Sequence, residues 1–256
     1  MTGVLPIALD EATKVTRALL MAGKEYTGVM KLHSQTSDDS VKNAFKEFCG
    51  TIYQRPPLRS SVRRRLRTRK IYYLQLLERR ERNILFRVGC EAGTYIRKLI
   101  HDLGEVLGTG AHMQELRRIR AGPFVEDKGS VTLHALSYAV IRWHETGNED
   151  QIRRVISPME KTFESTPKIY IRKSAIAAIC HGAHLAAPGV TSLETGINQG
   201  DLVAIFTQKQ EVVALGEAQR TTEEILEMDH GLVARTLRVM MPRDKYPRMW
   251  RTTPES

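Results

Sequence analysis

Residues 71–104 read IYYLQLLERRERNILFRVGCEAGTYIRKLIHDLG, and this stretch decides the fold. Ile71-Tyr72-Tyr73-Leu74 and Ile84-Leu85-Phe86-Arg87-Val88 are β-branched and aromatic, the composition of strands. The polar residues from Glu78 to Asn83 between them predict a charged turn. From Gly93 the period changes: Leu99, Ile100, Leu103 and Leu107 recur at helical spacing, with Thr94 just ahead as a cap. Two paired strands followed by a helix predict an α+β unit. Downstream, HMQELRRIRAG (112–122), stopped by Gly122-Pro123, is expected to form a second helix. VTLHALSYAVIRWH (131–144) forms another, capped by Thr132.

The composition changes between Pro158 and Pro167. KIYIRKSAIAAICHGAHLAAPGVT (168–191) reads as a short strand, a small-residue helix and a glycine-containing turn. Leu202–Phe206 and Val212–Leu215 read as strands either side of the polar TQKQE, and Leu232–Met240 as a last one. This predicts a small, mostly β module after a larger α+β domain, and 256 residues suit two such domains.

Lys and Arg number 39 against 29 Asp and Glu, a formal charge of +10, which points to a polyanionic partner. The charge is concentrated. Arg55–Lys70, RPPLRSSVRRRLRTRK, holds eight basic residues in sixteen and no acid: Arg55, Arg59, Arg63, Arg64, Arg65, Arg67, Arg69 and Lys70. Pro56-Pro57 starts the segment as an extended loop. Guanidinium groups hold phosphates bidentately, and a polyanion relieves their mutual repulsion.

Other classes are excluded. No run of about 18 apolar residues is present, so no membrane-spanning helix is expected. The N-terminus has neither the basic lead nor the apolar stretch of a secretory signal. Three separated cysteines, Cys49, Cys90 and Cys180, make neither a disulfide framework nor a zinc site, and they fit a reducing compartment. Phosphate-loop, HExxH and GxSxG motifs are absent, and the eight histidines lack metal-ligand spacing. A cofactor-dependent redox enzyme is not expected. Tyr95 and Arg97 lie at a strand-to-helix junction, where alternate spacing would project both side chains in one direction, Tyr95 to stack on a base and Arg97 as a buried guanidinium that needs a carboxylate or phosphate. From the pattern alone, a helix-start arginine paired with a surface acid is the simpler reading.

Four segments taken together shift that balance: TGVLPIALDEATKVTRALLMAGKEYTGVMKLH (2–33), QRPPLRSSVRRRLRTRKIYY (54–73), FRVGCEAGTYIRKLIHDLG (86–104) and GTGAHMQELRRIRAGPF (108–124). They resemble the TruB family of RNA pseudouridine synthases, most closely its dyskerin-type archaeal and eukaryotic branch. KIYIRKSAIAAICHGAHLAAPGV (168–190) and ARTLRVMMPRDKYPRMW (234–250) resemble the PUA domain that follows in that branch. The resemblance implies a mixed-sheet catalytic domain over 1–166, incomplete at its N-terminus, a PUA RNA-binding domain over 167–247 and a tail over 248–256. It implies isomerisation of uridine to pseudouridine in rRNA or tRNA, with no metal or organic cofactor, as the catalytic subunit of an H/ACA guide-RNA particle. Guide RNA, substrate RNA and the other core proteins of the particle would be its partners. Stand-alone modification of the tRNA T-loop and a catalytically dead RNA-binding scaffold are the alternatives. The missing Lys-rich tails favour the archaeal, cytoplasmic form over the nucleolar one.

By the same resemblance, Tyr26 stacks on the flipped uracil, Tyr95 lines its pocket, Arg97 pairs with a nucleophilic Asp, and Leu116 is an apolar wall. The basic residues of 55–70 grip substrate RNA, and His181 and Gly182 touch the guide. The family's nucleophile sits in a G-T-L-D-P segment just ahead of T-G-V-L-P. That segment is expected to be missing, because the chain opens Met1-Thr2-Gly3-Val4-Leu5-Pro6. Asp10 and Glu11 follow the stretch and do not replace it.

Overall fold

The computed structural model describes residues 2–56, 63–127 and 129–249. They form two compact units. One holds the chain up to Pro6 and Leu20–Val155; the other holds Ile7–Leu19 and the residues from Ile156 on. A boundary read along the chain at 166 places Ile7–Leu19 in the first unit. Contacts place it in the second, because Val15 and Ala18 are buried against Phe163, Phe206 and Leu215. A short helix, α1 (Thr16–Met21), ends this segment.

The first unit is built on strands β1 (Thr2–Gly3), β2 (Lys24–Leu32), β3 (Gly50–Gln54), β4 (Arg67–Arg80), β5 (Asn83–Cys90), β6 (Ala111–Ala121) and β7 (Phe124–Val125). Their order is β1-β6-β2-β5-β4-β3, with β7 pairing β6. Among the described residues only β1 and β6 run parallel, so the sheet is mixed. Helices α2 (Asp38–Glu47) and α3 (Ile96–Val106) supply Val41, Ala44, Phe45, Leu99, Ile100 and Leu103 to a core with Met30, Leu32, Ile84, Phe86 and Val88. Helices α4 (Leu133–Thr146) and α5 (Asp150–Val155) complete the unit.

Local chemistry sets the ends of these elements. Ser37 accepts from the Ser40 amide ahead of α2, and Asp38 and Asp39 sit in its first turn, where the helix dipole favours negative charge. Thr132 caps α4 as expected, accepting from the Ala135 amide at 3.2 Å. Thr94 does not cap α3; its hydroxyl donates to the Glu91 carbonyl, and Tyr95 occupies the cap position without a side-chain bond. The β4–β5 turn is shorter than its polar composition implies. Pairing runs out to Arg80 and Asn83, leaving Glu81, in a left-handed conformation, and Arg82 to turn.

One expectation fails outright. HMQELRRIRAG is a strand, not a helix. It lies in β6, beside β2, with Leu116 opposite Gly28. Its buried residues are Ala111, Leu116 and Ala121. Two register shifts against β2 break the alternation of two and leave an apolar spacing of five, which imitates a helical stripe. The close seat of α3 depends on Gly104, where a Cβ would fall 2.2 Å from the Ala111 nitrogen.

The second unit has strands β8 (Lys168–Ile171), β9 (Leu185–Ala186), β10 (Val190–Leu193), β11 (Leu202–Thr207), β12 (Val212–Ala218) and β13 (Leu232–Val239), with helices α6 (Lys173–Cys180) and α7 (Thr222–Glu227). The sheet order is β10-β8-β11-β12-β13-β9. These elements match the small, mostly β module expected from the sequence. β11 and β12 are buried on both faces. One face packs Ile176, Ile179, Val203, Ile205 and Val213. The other packs Phe206, Leu215 and Phe163, whose ring meets that of Phe206 edge-on at 6.2 Å.

Candidate active site

Strands β2 and β6 place Tyr26 and Leu116 on the face that carries the core. Tyr26 is half-buried against the core and pairs with Val88 on one side and Arg118 on the other. Leu116 is buried, and next to it Gly28 leaves no room for a side chain: a Cβ would lie 2.7 Å from the Glu115 carbonyl and 2.8 Å from the Phe86 ring. Burial pushes the Tyr26 hydroxyl above the usual phenol range and nearby Cys90 adds to this, while a hydrogen bond from Arg118 acts against it. Arg118 also donates from Nε to the Val4 carbonyl at 2.8 Å, and Val4 donates back to the Arg118 carbonyl at 2.8 Å. Burial holds the neighbouring Lys24 ammonium below its usual range, and the Arg118 charge lowers it further. Arg118 had no signal in the sequence beyond one more arginine in a basic strand; only the register sets it opposite Tyr26.

Tyr95 is held by Gln54. That buried amide accepts from the Tyr95 nitrogen at 3.0 Å and donates to the Tyr95 carbonyl at 3.2 Å. The pair fixes the start of α3 on the end of β3. Gln54 also escaped the sequence reading, since a glutamine ahead of Arg55 and two prolines carries no distinctive pattern.

Arg97 follows in the first turn of α3 and is exposed, which corrects the expectation of a buried guanidinium. Helical geometry, rather than strand alternation, turns it away from the packed side of α3. It lines a cavity of about 880 Å³ with Arg55, Arg64, Lys98 and Tyr53. Lys98 is paired with Asp102 one turn on. Among the described residues no carboxylate lies in ion-pair range of Arg55, Arg64 or Arg97.

The rest of the basic segment divides. Arg63 and Arg65 are exposed, as is Lys70, whose backbone amide bonds Glu91. Arg67 and Arg69 already belong to β4, and Arg69 lies 3.6 Å from Glu91. Arg59 lies outside the described residues. In the second unit, His181 ends α6, with Nδ1 2.7 Å from the Ala177 carbonyl and Nε2 3.1 Å from Arg248. Gly182 follows, exposed and in a left-handed conformation. No group of three or more His, Cys, Asp or Glu with metal-holding geometry occurs among the described residues. No described helix is long and apolar enough to cross a membrane.

Curated proteins match along almost the whole chain. Probable tRNA pseudouridine synthase B of Pyrococcus abyssi is 55% identical over 249 residues, 97% of this chain and 75% of its own length. The Methanopyrus kandleri protein of the same name is 55% identical over 97% of this chain and 73% of its own. This chain belongs to the TruB family of pseudouridylate synthases. The family's N-terminal model matches residues 1–96, a tRNA pseudouridylate synthase B C-terminal model matches 97–164, and a PUA domain model matches 167–240. The TruB-family fold agrees with solved structures. A chain from a Cbf5-Nop10-Gar1 complex superposes with a TM-score of 0.91 at 55% identity, covering 96% of this chain and 75% of that one. A chain from an H/ACA RNP bound to a substrate RNA containing 2′-deoxyuridine gives 0.86 at 52% identity, covering 97% and 75%.

One expectation is withdrawn here. The TruB N-terminal model matches from residue 1, and the reading that the catalytic aspartate's segment is missing finds no support. As a TruB-family pseudouridine synthase the protein is an isomerase. The N1–C1′ bond of uridine breaks, a C5–C1′ bond forms, C5 loses a proton and N1 gains one, so substrate and product have the same atoms.

Proposed function

We propose that this chain converts uridine to pseudouridine in rRNA and tRNA as the catalytic subunit of an H/ACA guide-RNA particle, with guide RNA, substrate RNA and the particle's core proteins as partners. Supporting this are the relatives solved with Nop10 and Gar1 and with substrate RNA. The observation that carries it is the cationic cavity, where Arg55, Arg64 and Arg97 surround one opening with no carboxylate partner among the described residues.

In this reading the uridine leaves its stack, at a cost repaid by contacts in the pocket. Tyr26 offers its ring to the uracil, Leu116 walls the pocket and Tyr95 lines it. Arg97 pairs with the nucleophilic carboxylate that attacks the nucleotide, lowering the cost of bringing a negative charge to the substrate. Arg55, Arg63, Arg64, Arg65 and Lys70 hold the substrate backbone, with Arg59, Arg67 and Arg69 in the same basic run. The PUA domain over 167–247 holds the guide through His181 and Gly182, and 1–166 is the catalytic domain.

The name carried by the curated relatives, tRNA pseudouridine synthase B, favours a second reading: modification of tRNA without a guide. Pseudouridine mapping on tRNA and on a guide-matched target, with and without guide RNA and core proteins, decides between them. The guided reading expects product on the matched target only when the guide is present. Product on tRNA alone, unaffected by guide, would replace it with the second reading. Guide binding with no isomerisation under any condition would leave only a scaffold.

A further inference from the structure

Strand β6 carries arginines at 117, 118 and 120. Arg117 is bound to Glu126, and Arg120 lies 4.0 Å from Glu25. Arg118 is half-buried, and among the described residues no carboxylate lies in ion-pair range of it. Its partners are neutral oxygens on either side of β6. On one side its Nε donates to the Val4 carbonyl at 2.8 Å, just past the end of β1. On the other, the same guanidinium donates to the Tyr26 hydroxyl on β2. A half-buried cation without a counter-ion is a poor source of stability. Its planar fork of donors, however, fixes two directions at once.

Register makes the bridge specific. Tyr26 stands opposite Arg118, and Gly28 opposite Leu116, so Tyr26, Leu116 and Arg118 share one face of the β2–β6 pair. On the far side β1 is pressed onto Arg118. Gly3 pairs with it, and the Val4 amide donates to its carbonyl at 2.8 Å. A Cβ at Gly3 would fall 2.0 Å from that carbonyl oxygen, and the left-handed φ of +104° also demands glycine. Thr2–Val4 is thus held to one register on β6. By the resemblance, this stretch directly follows the nucleophile's segment.

We infer that Arg118 is a positioning residue for the isomerisation: by bonding Tyr26 and Val4 together, it fixes the ring that stacks on the uracil relative to the segment that carries the nucleophile. The inference rests on the roles proposed above for Tyr26 and the carboxylate. Arg118 makes no bond to RNA in this reading, so its loss slows the chemical step and leaves binding alone. A displacement of about 1 Å between reacting groups can cost a hundredfold in rate.

The test uses the full chain assembled with guide RNA and core proteins. Single-turnover formation of pseudouridine on a guide-matched target should fall about tenfold to a hundredfold in Arg118→Met. Affinity for the target and its salt dependence should stay unchanged. Arg118→Lys keeps the cation without the fork and should recover only part of the rate. Arg117→Gln, on the opposite face of β6, should alter none of these. Tyrosine-labelled NMR of the protein alone gives a readout independent of turnover, with Tyr26→Phe identifying the Tyr26 signal. Arg118 opposes the upward pull of burial on that hydroxyl, so Arg118→Met should move its titration to higher pH. Arg118→Gln carries the same expectations should Arg118→Met lose its cooperative melt. A Tyr26 titration unmoved in a cooperatively melting variant would overturn the bridge. A salt dependence lowered by about one phosphate, with bound RNA turned over at the normal rate, would overturn it too and make Arg118 a phosphate contact. An unsubstituted particle that makes no pseudouridine would instead overturn the synthase reading on which the inference rests.

Discussion

The two sheets of this protein face water differently: the first has one polar, open side, and the second is enclosed on both faces. In the first unit, β6 buries only Ala111, Leu116 and Ala121 and leaves charged residues between them. On the side away from the helices Glu25 is buried and bound to Arg87. In the second unit, β11 and β12 are buried on both faces between two apolar clusters. The open side of the first sheet carries the Glu25–Arg87 pair, whereas the candidate residues Tyr26 and Leu116 lie on its core-bearing face. A sheet enclosed on both faces commits its strands to packing.

The sharpest test of this contrast is the removal of one large ring from each core. Phe86 and Phe163 are fully buried, and Phe86→Ala and Phe163→Ala are each expected to cost about 3–5 kcal/mol in chemical denaturation. A loss below about 1 kcal/mol at either would contradict the core assigned to that unit. Next in size is Arg87→Met, which leaves the buried Glu25 carboxylate of the first unit with only Tyr73 and, at 4.0 Å, Arg120 among the described residues. Because Arg87 is itself nearly half exposed, about 1 kcal/mol is expected. Glu25→Leu combined with Arg87→Met should recover most of it, and a larger loss in the double variant would mean that Glu25 has another essential partner.

Helix caps allow a like-for-like comparison between the units. Thr132 caps α4 and Thr221 caps α7 in a capping box with Glu224, so Thr132→Ala and Thr221→Ala should each cost about 1 kcal/mol. Unfolding midpoints that do not move would show the caps to be redundant.

Smaller still is the acid sensitivity of the second unit. Hydrogen bonds from Lys245 and then Tyr246 hold the Glu211 carboxyl below its usual range. A depressed folded-state value means that this contribution is present above the ordinary carboxylate range and is lost as pH falls through the folded value. Melting temperatures from pH 7 to pH 3 should therefore fall less steeply in Glu211→Gln. A slope identical to that of the unsubstituted protein would rule out this contribution.

Cysteine chemistry should change least. Burial raises the Cys90 thiol to about 11 and leaves it 1% exposed, while Cys49 is exposed. Iodoacetamide at neutral pH should label Cys49 and leave Cys90 untouched until denaturant is added. Labelling of native Cys90 would mean that the end of β5 opens readily.

The second unit was the more legible in sequence. Runs such as LVAIF and VVAL admit few alternatives to a buried strand, and the observed β11 and β12 contain them. In the first unit the strands around Ile71–Leu74 and Ile84–Val88 and the helix with Leu99, Ile100 and Leu103 were also readable. β6 was not, because two bulges gave its few apolar residues a helix-like spacing. The cap of α3 was misassigned because Thr94 could reach the Glu91 carbonyl instead. Of the site residues, the resemblance singled out Tyr26, Tyr95, Arg97 and Leu116 and implied burial for Arg97, which the helix turns outward. Gln54 and Arg118 have places defined by neighbours 41 and 92 residues away along the chain, at Tyr95 and Tyr26.

The sequence by itself determined the class of partner, the α+β division into two modules and the family, because charge density, apolar runs and ordered motifs are local properties of the chain. Tertiary structure decided which arginines have no carboxylate beside them among the described residues, which tyrosine faces the core and which faces solvent, and which segment completes the second core. Those outcomes depend on strand register and on contacts between distant segments, neither of which is encoded in local periodicity.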